Sequence, residues 1–128
     1  MPSLVLTSVP SSSEPYCPGP VLFTCSATDI APTHCWKLND TSIGEYSFSF
    51  TYQYPLDLTV TSPLIDSIKV ISATLDGNSL DIISTLRVSD VSVLNGSAIH
   101  CEDLVQRESN EANISVVSLG TTLPIILL

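Results

Sequence analysis

The sequence predicts an all-β protein built as a sandwich of seven to nine short antiparallel strands. Three observations carry that prediction. No stretch keeps the i, i+3, i+4, i+7 apolar spacing of an amphipathic helix, while β-branched residues, Ser and Thr abound. Short apolar or alternating runs recur along the chain, each closed by Gly, Pro, Asn or Asp. One of those closures, Asp76-Gly77-Asn78-Ser79, is a strong hairpin signal, because Gly and Asn tolerate positive φ.

The elements follow in chain order. A strand over 21–27 starts after the Pro18-Gly19-Pro20 turn, and a short one over 35–38 ends at Asn39-Asp40. The hairpin turn separates strands over 67–75 and 80–88. Asn95-Gly96 introduces a strand over 97–102, and a last strand spans 113–119. The segment 43–71 is longer than a seven-stranded sandwich needs, so it is expected to hold extra strands.

Within that segment, Glu45-Tyr46-Ser47-Phe48-Ser49-Phe50-Thr51-Tyr52-Gln53-Tyr54-Pro55 carries five of the chain's eight aromatic residues, all on alternate positions. Strict alternation sends the five rings to one face and Ser47, Ser49, Thr51 and Gln53 to the other. The run from Tyr46 to Tyr54 would span roughly 27 Å, longer than one core can take in. Two readings follow. Phe48 and Phe50 are core with the tyrosine hydroxyls in water, or the stripe faces outward and Tyr46, Tyr52 and Tyr54 meet a partner. A bulge dividing the stripe would combine the two, and Pro55 blunts the edge against uncontrolled pairing.

Composition narrows the function. The 128 residues suffice for one domain, expected to span 1–128 with its core at 3–119 and an apolar tail at 120–128. Four basic against thirteen acidic residues give a net charge of −9, which argues against nucleic acid and anionic membrane as partners. The apolar run 123–128 is far shorter than the roughly 20 residues a membrane span requires, so no membrane insertion is expected from this segment. The N-terminus lacks the basic and apolar regions of a signal peptide, and the expectation is a fragment of a longer precursor.

Cysteines stand at positions 17, 25, 35 and 101, with no C-x-x-C pair to suggest a zinc ribbon or thioredoxin-like motif. Four cysteines allow three connectivities. Three sequons, at Asn39, Asn95 and Asn113, are candidate glycosylation sites. With the widely spaced cysteines they point to an extracellular or cell-surface environment.

Cys25 in the second strand, Trp36 eleven positions on and Cys101 in the penultimate strand together resemble the frame of an immunoglobulin-like domain. The surrounding stretches, from Cys17 to Cys25 and from Ser84 through Asn95 to Cys101, extend the resemblance over 3–119. It looks nearest to domains of invertebrate cell-surface proteins, with variable-type extra strands in 43–71. The resemblance implies a Cys25–Cys101 disulfide between the sheets, with Trp36 packed against it. Alternation agrees: Phe23, Cys25 and Ala27 share one face, as do Ile99 and Cys101, with His100 and Glu102 opposite. The family's usual tyrosine and acidic residue before the second cysteine are replaced by Ile99 and Asn95. That turn must therefore be held another way.

If Trp36 faces the core, Cys35 faces out, and Cys17 is expected at the far end of the sandwich. Cys17 and Cys35 are thus either free thiols or, against that geometry, a second disulfide; Cys17 is also the candidate for an intermolecular bridge. Both histidines precede a cysteine, and His100 and Cys35 facing outward together would supply only two of the four ligands zinc wants. No phosphate loop, nucleophile elbow or calcium loop occurs, so no catalytic residue, metal or cofactor is expected. What the resemblance implies is a non-catalytic module for protein recognition or adhesion within a larger surface or secreted protein. The rival is a structural spacer.

Overall fold

The computed structural model describes residues 3–11, 15–47, 55–103, 105 and 107–117. They form two antiparallel sheets. The first has five strands in the order β1-β2-β7-β6-β5, with β1 at Ser3–Val9, β2 at Val21–Ile30, β5 at Leu56–Leu58, β6 at Ser67–Asp76 and β7 at Ser79–Val88. The second has four in the order β4-β3-β8-β9, with β3 at Thr33–Leu38, β4 at Thr41–Ser47, β8 at Ala98–Glu102 and β9 at Ala112–Asn113. A short 3₁₀ turn, Val91–Leu94, carries the chain from one sheet to the other.

Alternation builds the core. In β2 the buried positions are Val21, Phe23, Cys25 and Ala27, and in β7 they are Leu80, Ile82, Ser84, Leu86 and Val88. Both rows face Trp36, Ile99 and Cys101 from the other sheet, all fully buried. Cys25 and Cys101 are joined by a disulfide across the core, with a Cα separation of 6.5 Å. Trp36 stands directly opposite Cys101 in the β3–β8 register, so both point inward beside the bridge. The result is a β-sandwich compatible with an immunoglobulin-like fold.

The turns obey their residues. Gly77, at φ +65°, lies in the two-residue turn between Asp76 and Ser79, as the hairpin signal requires. Asn39 and Asp40 have φ of +50° and +66° and join Leu38 to Thr41. Two successive positive-φ residues match the twist of a tight hairpin, and Asn and Asp tolerate that conformation. Among the described residues the segment 43–71 does contribute extra strands, one on each sheet: β4 beside β3, and β5 beside β6.

One strand expectation changes. The last strand, expected over 113–119, is among the described residues paired as a strand at Ala112–Asn113, followed by an isolated parallel bridge from Val116 to Tyr16. The side chain of Asn95 and the backbone of Gly96 take Val116 and Ile114 as partners, at 2.9 and 2.8 Å, so the chain turns toward the 3₁₀ segment there. Of the expected stripe, Tyr46 belongs to β4, and Phe48, Phe50, Tyr52 and Tyr54 lie outside the described residues.

The turn that lacks the family's tyrosine is held by side-chain oxygens. Asp90 Oδ1 accepts from the backbone N–H of Ser92 at 3.0 Å and of Gly19 at 3.2 Å. Asn95 Oδ1 accepts from Val116 N–H. At the sandwich edge, Asn110 exchanges two hydrogen bonds with the backbone of Leu6, at 2.7 and 2.9 Å, pinning β1 to the segment before β9.

Candidate functional site

Recognition on a sandwich is carried by its ends or its outer sheet faces, and the two ends of this one differ in chemistry. At one end, β3 finishes, β8 begins and β9 finishes. Asn39 donates its backbone N–H to Ala98 O and accepts from Ala98 N–H through Oδ1, both at 2.9 Å. Asn113 is the register partner of Ala98 on the other side. Asn95 lies three residues before Ala98, bonded to Val116. The three sequon asparagines are therefore gathered at one end of the four-stranded sheet, and all are exposed. Alternation says nothing of this, since the three positions are far apart in sequence and meet only through the register.

The opposite end is made by the β2–β3 turn and the loop from β8 to β9. Asp103, fully buried, organises that loop: its Oδ1 accepts from Val105 N–H at 2.9 Å and from Arg107 N–H at 3.2 Å. Arg107 lies 3.8 Å from the other carboxylate oxygen and donates to the carbonyl of Asp29 at 3.2 Å, while the Thr33 hydroxyl donates to the carbonyl of Asp103. Asp29 also accepts from the Ser79 hydroxyl at 2.8 Å, which lowers its pKa. The end is thus braced by hydrogen bonds across three connections, with Val105 left 56% exposed at its tip. In the sequence Asp103 is one of thirteen acidic residues and belongs to no motif. Its spacing to Arg107 was the available signal.

The outer face of the four-stranded sheet carries Cys35, Lys37, His100 and Glu102. Cys35 is on the outward side, as expected, but it is buried rather than exposed. Burial, with Glu102 next in importance, pushes its thiol up to about 12, so it is neither a nucleophile nor a ready metal ligand. Cys17 is exposed, and both are free thiols, so the second disulfide is not formed. Cys17 lies at the 3₁₀ end, next to the Gly19 contacts with Asp90 and Val91, whereas β3 begins at the Asp103 end. A bridge between them would have to cross the length of the sheet.

The register sets Cys35 opposite Glu102 and His100 opposite Lys37, so the thiol and the imidazole are not paired positions. His100, almost wholly buried, instead meets Glu102 and Glu108. His34 points the other way, into the core, where its Nε2 is 2.6 Å from the Ser84 hydroxyl that also accepts from Trp36 Nε1 at 3.0 Å. Of the aromatic stripe, Tyr46 stands opposite His34, half-buried and packed on the core.

Among the described residues no helix is long and apolar enough to cross a membrane. Compared with known protein families and with curated proteins, the chain matches no family model and no curated protein.

Proposed function

We propose that this chain is an extracellular, non-catalytic immunoglobulin-like module for protein recognition or adhesion, one part of a larger surface or secreted protein. The gathering of three exposed sequons at one end is the observation that carries this reading. Glycans attached there would clothe that end and leave the opposite end, with Val105 and Arg107, open to a partner. The buried disulfide supports an oxidising compartment, since such bonds form and persist outside the cytosol. Strand β4, added beside β3, supports a variable-type relationship of the kind the sequence resembles. That type adds two strands to this sheet, whereas here β5 joins the other sheet.

The test uses chain secreted from cells. Peptide mapping without reduction is expected to return the Cys25–Cys101 bridge with glycan on at least one of Asn39, Asn95 and Asn113. Four free thiols and no glycan would refute the extracellular assignment. Beads coated with the chain are then expected to adhere to cells or to each other, and Val105→Asp to weaken adhesion while Thr41→Ala leaves it. No adhesion in any arrangement would favour a spacer, and adhesion sensitive only to the sequon end would overturn the proposed orientation.

A further inference from the structure

We infer that His100, Glu102 and Glu108 form a binding site for a divalent cation of the zinc class, with Glu111 as an outer carboxylate. The three donor atoms come from two segments of the chain. His100 and Glu102 project from β8 two residues apart, and Glu108 is brought to them by an antiparallel bridge between Glu102 and Glu108. His100 Nε2 is 3.1 Å from Glu102 Oε2 and 3.2 Å from Glu108 Oε1. All three donor atoms lie within 4.8 Å of one another. Zinc bonds of about 2.0–2.2 Å in a tetrahedron place neighbouring donors roughly 3.3–3.6 Å apart, close to the spacing of the imidazole nitrogen from each of its two carboxylates.

The hydrogen-bond inventory points the same way. An imidazole nitrogen has one hydrogen at most, and it can aim squarely at one oxygen only. Here two carboxylates from different segments converge on that single nitrogen. A divalent cation in place of the proton satisfies all three groups and removes the repulsion between the carboxylates.

A separate feature lies behind the ring. His100 Nδ1 faces Glu111 Oε2 at 4.0 Å, the side from which a carboxylate orients a metal-binding imidazole and raises its basicity. The His100 side chain is only 4% exposed, which holds the ring in place, while Glu108 at 58% and Glu111 at 49% leave the approach open. Lys37 sits 3.6 Å from Glu102 Oε1, the oxygen turned away from the site, and leaves Oε2 to the ion. One imidazole with carboxylates selects zinc over calcium or magnesium, and three protein ligands leave a fourth position to water. The ion would tie the β8–β9 loop to the outer face of the sheet.

The experiment titrates zinc chloride into chelator-treated full chain, followed by calorimetry and thermal unfolding. One ion per chain is expected, and a rise in Tm of about 10 °C at a hundredfold excess over Kd. His100→Gln is expected to abolish binding, Glu108→Gln to weaken it at least about tenfold, and Glu111→Gln about tenfold. Should His100→Gln fail to fold, the two exposed glutamate variants decide. Cys17→Ser controls for the exposed thiol and is expected to bind as the parent does. Absence of binding, binding unchanged in Glu108→Gln, or binding lost in Cys17→Ser would each overturn the assignment.

Discussion

Lowering the pH should unfold this sandwich from inside, through His34. The imidazole is fully buried, and among the described residues its one hydrogen bond, between Nε2 and the Ser84 hydroxyl, leaves Nδ1 without a partner. Protonation would place a charge there with a second N–H and no acceptor. Burial accordingly holds the His34 pKa down to about 4, against an ordinary value of 6.5. Between those values the unfolded chain binds a proton that the folded one refuses, so stability falls as pH falls. A gap of this size is worth roughly 3 kcal/mol in full, of which about 2 kcal/mol is lost between pH 7 and pH 5. Against the roughly 5–15 kcal/mol of a typical domain that is a large share. Urea unfolding followed by the single tryptophan, itself in the same hydrogen-bonded group, reads the loss directly. His34→Gln should remove about 2 kcal/mol of the pH dependence, whatever it does to stability at pH 7. All other ionisable groups are common to the two proteins, so their contributions cancel. Equal losses in parent and variant would refute the argument.

Other outcomes follow from the same packing. Replacing Cys25 and Cys101 together with Ala opens a loop of about 77 residues, and the loop-entropy model puts the loss at roughly 4.5 kcal/mol, read as a fall in the urea midpoint. A thiol reagent at pH 8 should label Cys17 at once and Cys35 only in denaturant, giving one fast group per native chain; two fast groups would mean that the sheet face over Cys35 is open. Gly44→Ala should cost about 1–2 kcal/mol in the same urea assay, because the new Cβ would lie 2.7 Å from Ile68 Cδ1 in a fully buried row. Asn110→Ala should cost about 1–2 kcal/mol and speed amide exchange at Leu6, whose N–H then loses its acceptor.

Much of the fold is legible in the sequence because it rests on local rules. The β6–β7 hairpin follows from its turn, and the inward row of β2 follows from period-two alternation around Phe23 and Cys25. Trp36 and the Cys25–Cys101 bridge are legible from a spacing shared with a known family. What stayed hidden depends on contacts between distant segments. Alternation puts Cys35 on the outward face but cannot say what closes over it. It gives no hint that Ser84, fifty residues on, meets both His34 and Trp36. Nor does the sequence reveal that the chain comes back over β8 with Glu108 and Glu111, so His100 reads as an isolated histidine until the register is known.

The charge balance restricts what the open end and the outer face can meet. All four basic side chains are already engaged: Lys37 with Glu102, Lys69 with Asp57, Arg87 with Asp66 and Arg107 with Asp103. The net charge of −9 therefore comes from carboxylates with no basic side chain in reserve, Glu108 and Glu111 among them. A protein partner docking on this surface has to bring positive charge, or the like charges would oppose contact by several kcal/mol. Association of that kind is steered by the field, so its rate should fall steeply as salt rises, whereas an apolar contact at Val105 alone would hardly respond. A cation at His100 would offset two of those charges on the sheet face and none at the Asp103 end. Zinc should thus reduce the salt sensitivity of any partner that docks over β8 and leave unchanged that of one that docks on the loops.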